Sequence, residues 1–166
     1  TMYDYVSSHW SDDETTAVTP FLTYANQIRS VVVENGVTSI GENAFYGCNR
    51  LTSVSLPDTL YAINSNAFYG CSHLTDIQIP EGTEFLSGSA FRNCNALRTL
   101  QFPASLTNCE NVSYLYACNG LENFVVDADN PSYASVDGIL YNKKKSSLMT
   151  QGFSNNSFDN IGHTTS

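Results

Sequence analysis

The sequence has few charged residues, and very few of them are basic. Only 14% of its 166 residues are charged, and 7 Lys and Arg face 16 Asp and Glu, which gives a formal net charge of −9. Such a chain has no basic surface that would attract nucleic acid or an anionic membrane. It also lacks the roughly 20 consecutive apolar residues of a membrane helix, and it starts at Thr1 without a basic and apolar leader. We expect no nucleic-acid partner and no membrane span in this chain, with any export signal or anchor outside it.

The usual signatures of catalysis and metal binding are missing as well. The chain has three histidines, His9, His73 and His163, and each lies in or next to a predicted loop. His73 and Asp76 could belong to a triad, but an exposed, solvated position is favoured for both. The sequence has no Gly-x-Ser-x-Gly motif and no CxxC or CxxH pair. We therefore expect no catalytic residues, no cofactor and no metal centre, and hence a protein that is not an enzyme.

Cysteine is scarce but regularly placed. Five cysteines are too few for a disulfide framework, and their number is odd. Cys48, Cys71 and Cys94 follow one another at a constant interval, and Cys118 comes one position later than that interval would place it. With 42% hydrophobic residues the chain can bury a core. The regular spacing indicates an internal repeat.

Aligned on this period, the chain divides into repeat units. The boundaries fall at residues 28–50, 51–73, 74–96, 97–120 and 121–142, the fifth unit being divergent. A period in the twenties predicts a solenoid, in which each coil buries its apolar face against the next. We expect residues 1–27 to form an N-terminal cap closed by Trp10, and residues 143–166 to form a C-terminal turn and tail.

Each unit opens with a predicted strand. The opening segment is short and rich in Ser, Thr and β-branched residues, and in three units it ends at a proline: Pro57, Pro80 or Pro103. Successive strands would pair in parallel, one per coil. The second half of a unit carries an Ala-Phe pair, for which we expect a brief 3₁₀ or helical turn.

Two columns of side chains should form the core of this solenoid. Equivalent side chains on adjacent coils lie about 4.8 Å apart, whereas the Cβ atoms of a disulfide lie about 3.8 Å apart, so we expect buried free thiols. The fourth unit carries Cys109 at an Ile position and is longer than its neighbours by a single residue, so its coil should bulge. The predicted core columns are Phe45, Phe68 and Phe91, and Cys48, Cys71 and Cys94.

The repeat resembles the BspA-type leucine-rich repeat, LTSVxIPxxVTxIGxxAFxGC. Residues 37–48, VTSIGENAFYGC, almost reproduce that pattern, and the likeness covers about residues 28–118. The resemblance implies a leucine-rich-repeat solenoid: a right-handed superhelix with a parallel β-sheet on the concave face and short 3₁₀ or irregular segments on the other side. It also implies a cell-surface or secreted protein that binds host or microbial surface proteins, matrix or glycans.

Residues 127–149 are similar to an insert that interrupts such arrays. Within it, Asp137-Gly138 predicts the turn of a hairpin between two strand-forming runs. Oxygen ligands of the kind that hold calcium also cluster here. Asx turns around Pro131 explain the same side chains without an ion, and both interpretations stay open. The cluster consists of Asp127, Asp129, Asn130 and Asp137.

The outward positions of the predicted strands are the surface that a partner would meet. Tyr46 and Tyr69, one coil apart with Arg92 next, form a second candidate, a possible aromatic ridge. A solvated sheet and tyrosines that merely cover the Phe column are the alternatives. The candidate ligand-binding residues of the concave face are Ser53, Ser55, Asp76, Gln78, Thr99 and Gln101.

Two functions are compatible with these features. The first is adhesion by a non-enzymatic surface protein through protein or glycan binding. The second is a structural stalk or spacer without a ligand of its own. Because the last coil is poorly covered in the predicted fold, an open solenoid end could also support weak self-association.

Overall fold

The computed structural model describes residues 22–143 and 147–148. Within these residues the chain winds into a parallel β-solenoid, because strands one repeat apart pair in parallel. This confirms the solenoid predicted from the repeat. His163 and residues 1–21 of the predicted cap, which include His9 and Trp10, lie outside the described residues.

The opening strands of the first, second, fourth and fifth coils contribute to one surface, which we call the front face. Ser30 pairs with Ser53 and Thr99 pairs with Asn123, so the register follows the sequence period. The strands of the front face are β1 (Ser30–Val32), β3 (Ser53–Ser55), β6 (Thr99–Phe102) and β8 (Asn123–Val126).

The prediction of one front-face strand per coil is wrong for the third coil. Residues 75–78 are not in a strand, so the front face carries two separate two-stranded pairs, β1–β3 and β6–β8. Ile77 and Ile79 are nevertheless buried and Gln78 is exposed, as in an extended segment. The segment keeps its path because its isoleucines are buried in the core, while the backbone ladder is interrupted.

A second parallel sheet occupies the half of each coil where we predicted only turns. Its order is β2-β4-β5-β7, one strand from each of four successive coils. Strands of two or three residues are too short to show an alternating pattern, which explains why the sequence did not reveal them. The four strands are β2 (Ser39–Ile40), β4 (Ala62–Ile63), β5 (Phe85–Ser87) and β7 (Asn108–Glu110).

The predicted short helical turns are present beside this sheet. A 3₁₀ helix spans Gly88–Phe91 in the third coil, and another spans Val112–Ala117 in the fourth. The fourth coil therefore takes up its extra residue in a longer 3₁₀ helix. A further 3₁₀ helix, Leu22–Tyr24, precedes the first coil.

The phenylalanine column is confirmed. The rings of Phe45 and Phe68 stack with centroids 5.3 Å apart, and those of Phe68 and Phe91 with centroids 5.5 Å apart. All three side chains are buried, and Leu115 is buried in the fourth coil. Stacked rings of this kind contribute to stability beyond the apolar area that they bury.

The cysteines are free and buried, as predicted. Cys109 pairs in register with Leu86, which confirms its place at an Ile or Leu position of the second sheet. Three other thiols each donate a hydrogen bond to a phenylalanine carbonyl oxygen of the preceding coil. These pairs are Cys71 to Phe45, Cys94 to Phe68 and Cys118 to Phe91.

The insert forms the predicted hairpin. Strands β9 (Tyr133–Val136) and β10 (Ile139–Asn142) are antiparallel, and the two-residue turn between them has positive φ at Asp137 and Gly138. A short strand, β11 (Ser147–Leu148), pairs with β10. The fifth unit thus follows the repeat only through β8 and then folds back.

The hairpin is attached to the fourth coil through a buried asparagine. Asn130 Nδ2 donates to the carbonyl oxygens of Pro103 and Leu106, at 2.8 Å each. The hydroxyl of Tyr133 accepts a hydrogen bond of 2.9 Å from the backbone N–H of Cys109, in the last strand of the second sheet. Residues of the insert therefore cover part of the fourth coil. Self-association through an open solenoid end stays a prediction.

Candidate functional site

The predicted aromatic ridge is a continuous ladder of four side chains. The rings of Tyr46 and Tyr69 are parallel, with centroids 4.6 Å apart. The guanidinium carbon of Arg92 lies 5.9 Å from the ring centroid of Tyr69 and 5.6 Å from that of Tyr114. Both distances are within the range of a cation–π contact. We call Tyr46, Tyr69, Arg92 and Tyr114 the tyrosine–arginine ladder.

The repeat itself builds this ladder. Tyr46, Tyr69 and Arg92 occupy the same position of three successive units, and the backbone joins their coils directly after each tyrosine. Gly47 N donates to the carbonyl oxygen of Tyr69, and Gly70 N donates to that of Arg92. The 3₁₀ helix Val112–Ala117 then supplies Tyr114, whose side chain is exposed.

The ladder is held in place before any partner binds. Asn93 Nδ2 donates a hydrogen bond of 2.8 Å to the hydroxyl oxygen of Tyr69, which fixes that ring. Arg92 is confined between two aromatic faces. A surface that is ordered in advance loses less conformational entropy when it binds. The ladder is therefore suited to contact with another molecule.

The six predicted front-face residues lie on one surface but do not share one sheet. Five are exposed and Thr99 is half-buried. Ser53 and Ser55 lie in β3, whereas Thr99 and Gln101 lie in β6. Asp76 and Gln78 lie in the interrupted segment between them, where Gln78 Nε2 is 3.5 Å from Asp76 Oδ1.

The front face is otherwise weakly featured. Val32 and Val125 are exposed near its two ends. Arg98 forms an ion pair of 3.0 Å with Glu122, but both side chains are more than half exposed, so the pair contributes little to stability. Small hydroxyls and amides offer few strong contacts to a partner.

A shallow groove of about 480 Å³ lies over the second sheet, and sequence reasoning missed it. Aromatic residues at positions 61 and 85, where neighbouring coils carry small or polar residues, were the available signal. Its lining residues are Tyr61, Ala62, Asn64, Glu84, Phe85, Thr107 and Asn108.

The oxygen-rich cluster of the insert forms turns. Asp127 Oδ1 accepts a hydrogen bond of 2.9 Å from the N–H of Asp129, which is an Asx turn. The amide of Asn130 is occupied by backbone partners, and Asp137 lies in the hairpin turn. Among residues 22–143 and 147–148, no three His, Cys, Asp or Glu side chains are grouped as a metal site would require. His73 is exposed, and its Nδ1 is 2.5 Å from the carbonyl oxygen of Asn49.

Four of the buried thiols have raised pKa values. Burial raises the pKa of Cys48 to about 11. The pKa values of Cys109 and Cys118 rise to about 12, also chiefly because of burial. The neighbouring Cys71 thiol and then burial raise the pKa of Cys94 as well. Since the thiolate is the reactive form, these cysteines are unreactive near neutral pH.

A family model for the BspA-type leucine-rich repeat region matches residues 20–135 in six copies. The chain belongs to the BspA-type leucine-rich repeat family. The recognition made from residues 37–48 is thereby confirmed. The boundaries of the five predicted units stay a prediction.

Solved leucine-rich repeat proteins share the fold of this BspA-type chain. It is similar to one from T. pallidum, with 27% identity and a TM-score of 0.57 over 60% of this chain and 46% of that one. A leucine-rich repeat protein from Eubacterium ventriosum is 25% identical, with a TM-score of 0.59 over 79% of this chain and 41% of that one. A leucine-rich repeat protein from Bacteroides capillosus is 30% identical, with a TM-score of 0.53 over 60% of this chain and 77% of that one. The chain spans less than half the length of the first two, and no curated protein matches it. In the described part of the chain, no helix has the length and apolar character needed to span a bilayer.

Proposed function

We propose that this BspA-type chain is a non-enzymatic binding module of a cell-surface or secreted protein, and that it mediates adhesion by contact with proteins of a host, of other microbes or of the matrix. The tyrosine–arginine ladder is the observation that carries the proposal. The resemblance of the repeat to those of bacterial surface proteins supports the location.

The composition of the ladder favours a protein partner. Tyrosine and arginine are enriched among the residues that contribute most to protein–protein binding. Tyr114 presents an exposed ring at one end, and Arg92 adds a charge between two rings. The front face, with its small hydroxyls and amides, is the second surface on which a partner could lie.

The proposal is tested on an array of matrix and bacterial surface proteins, with the chain as the probe. Arg92→Glu and Tyr69→Ser should each weaken capture by at least about tenfold, because each removes a group that stacks on its neighbours. Tyr24→Ser is the matched control, since Tyr24 is also an exposed tyrosine but belongs neither to the ladder nor to the groove over the second sheet. Thermal melts of all variants exclude unfolding as the cause.

Three outcomes are informative. Loss of capture in both ladder variants supports the proposal. Capture that persists in them but is lost when Thr52, Gln78 and Gln101 are changed to Glu moves the site to the front face. An array without any captured protein contradicts the proposal and supports the stalk or spacer.

A further inference from the structure

The groove over the second sheet is built by three successive coils. Tyr61, Ala62 and Asn64 come from the second coil, Glu84 and Phe85 from the third, and Thr107 and Asn108 from the fourth. Ala62, Phe85 and Asn108 are register partners on adjacent strands. The parallel stacking of coils therefore places equivalent side chains side by side along the groove.

The same backbone hydrogen-bond pattern recurs along this surface. In three successive coils two neighbouring N–H groups donate to one carbonyl oxygen of the preceding coil: those of Tyr61 and Ala62 to Thr38, those of Glu84 and Phe85 to Tyr61, and those of Thr107 and Asn108 to Glu84. The pattern recurs at the interval of the strand register, and the same two consecutive positions of each of these coils line the groove.

The lining combines apolar planes with polar groups. Tyr61 is 52% exposed and Phe85 is half-buried, and both residues line the groove. Glu84, Thr107 and Asn108 are exposed, and they bring a carboxylate, a hydroxyl and an amide. The lining contains one acidic side chain and no basic one.

We infer that this groove binds a neutral pyranose ring of a glycan. The C–H groups of such a ring pack against the electron-rich faces of Tyr61 and Phe85. Its hydroxyls donate to the carboxylate of Glu84 and exchange hydrogen bonds with Asn108. An acidic sugar would be repelled by the carboxylate of Glu84 and by the net charge of −9 on the chain, and the lining has no basic side chain to pair with it. This inference rests on the proposed function in that both assign a binding role to the module, but it uses different residues.

Saturation-transfer NMR with the whole chain tests the inference. The probes are the methyl glycosides of glucose, galactose, mannose and N-acetylglucosamine, with methyl glucuronate as the acidic counterpart and Nα-acetyl-lysine amide as a cationic one. At least one neutral glycoside should bind. Tyr61→Ser should lower the affinity for that glycoside by at least about tenfold, because the exposed ring is removed. Tyr24→Ser, at an exposed tyrosine outside the groove and the ladder, should leave the affinity for that glycoside unchanged.

Glu84→Gln separates binding in the groove from a general effect on stability. This substitution should weaken binding of the neutral glycoside, because the carboxylate accepts a hydrogen bond from its hydroxyls. It should strengthen binding of the glucuronate, because the carboxylate repels the acidic sugar. The inference is overturned if no neutral glycoside receives saturation, if Tyr61→Ser binds it as well as the unaltered chain does, or if only the lysine probe binds. Protein capture on the array tests the ladder, and glycoside binding tests the groove. Failure of one therefore does not imply failure of the other.

Discussion

Cys94 donates a hydrogen bond of 3.1 Å from its thiol to the carbonyl oxygen of Phe68, in the preceding coil. The rings of Phe68 and Phe91 stack across the same two coils, and Phe68 N donates to the carbonyl oxygen of Ala90. Ring, thiol and backbone therefore join the second and third coils at one place. Cys71 and Phe45 repeat the thiol contact one coil earlier.

Phe68 occupies the centre of the phenylalanine column, with a ring on each side. Phe68→Ala should lower the free energy of unfolding by about 3–5 kcal/mol, because it leaves a cavity between coils. Phe68→Leu should cost clearly less, since the fourth coil carries a buried leucine, Leu115. Urea denaturation of the two variants measures the difference. Equal losses, or no loss for alanine, would contradict the stacking.

Gly88 marks a close approach of the third and fourth coils. A Cβ atom at this position would lie 2.1 Å from the carbonyl oxygen of Asn111. Gly88→Ala should therefore destabilise the protein by about 1–3 kcal/mol or more, because the backbone of the next coil would have to move. Gly41→Ala is the control, since a Cβ there meets none of the described heavy atoms within 4 Å. Melting temperatures that fall equally in both variants would refute this contact.

Stability should fall in alkaline solution because of the buried thiols. In the unfolded chain a cysteine has a pKa of about 8.5, whereas burial raises the pKa of Cys109 to about 12. Below the lower value both states hold the proton and stability is unaffected. Between the two values only the unfolded state releases it, so the free energy of unfolding decreases as pH rises. Urea denaturation at about pH 7 and about pH 9.5 measures this decrease.

Cys109→Val provides the control for the thiol prediction. Valine suits a position where the neighbouring coils carry Ile63 and Leu86. The decrease in stability between the two pH values should be smaller in this variant, because one titrating group has been removed. An identical decrease would show that the Cys109 thiol does not contribute.

Asn130 connects the hairpin insert to the fourth coil and is fully buried. Besides its two donated bonds, its Oδ1 accepts from the backbone N–H groups of Ser132 and Tyr133. Asn130→Ala should lower the free energy of unfolding by at least about 2 kcal/mol, because buried backbone groups lose their partners. Asn119→Ala, at an exposed position, should change it little. A neutral effect of Asn130→Ala in thermal denaturation would mean that the insert is not attached in this way.

Much of the fold could be predicted because the same residue types recur at one interval in successive units. Phe45, Phe68 and Phe91 recur at one interval, and solenoid stacking converts that interval into contact. The hairpin was predictable for a local reason, since Asp137 and Gly138 favour the positive φ that a two-residue turn requires. The second sheet could not be predicted in this way, because its strands are very short.

The candidate surfaces were predicted only in part. Tyr46, Tyr69 and Arg92 could be aligned from the sequence because they share one position of the repeat. Tyr114 could not, since it comes one position before the place that the repeat interval assigns, and it reaches the ladder through a longer 3₁₀ helix. The groove lies where two successive amides share one carbonyl oxygen, a backbone feature that residue types alone do not reveal.

The register of the coils is tested most directly by proton NMR on the chain with selectively labelled phenylalanines. The stacked solenoid predicts nuclear Overhauser contacts between the rings of Phe45 and Phe68 and between those of Phe68 and Phe91, and none between Phe45 and Phe91. Single Phe→Leu variants assign each contact to its pair. Absence of both neighbouring contacts in the folded protein, or a direct contact between Phe45 and Phe91, would contradict the stacked solenoid.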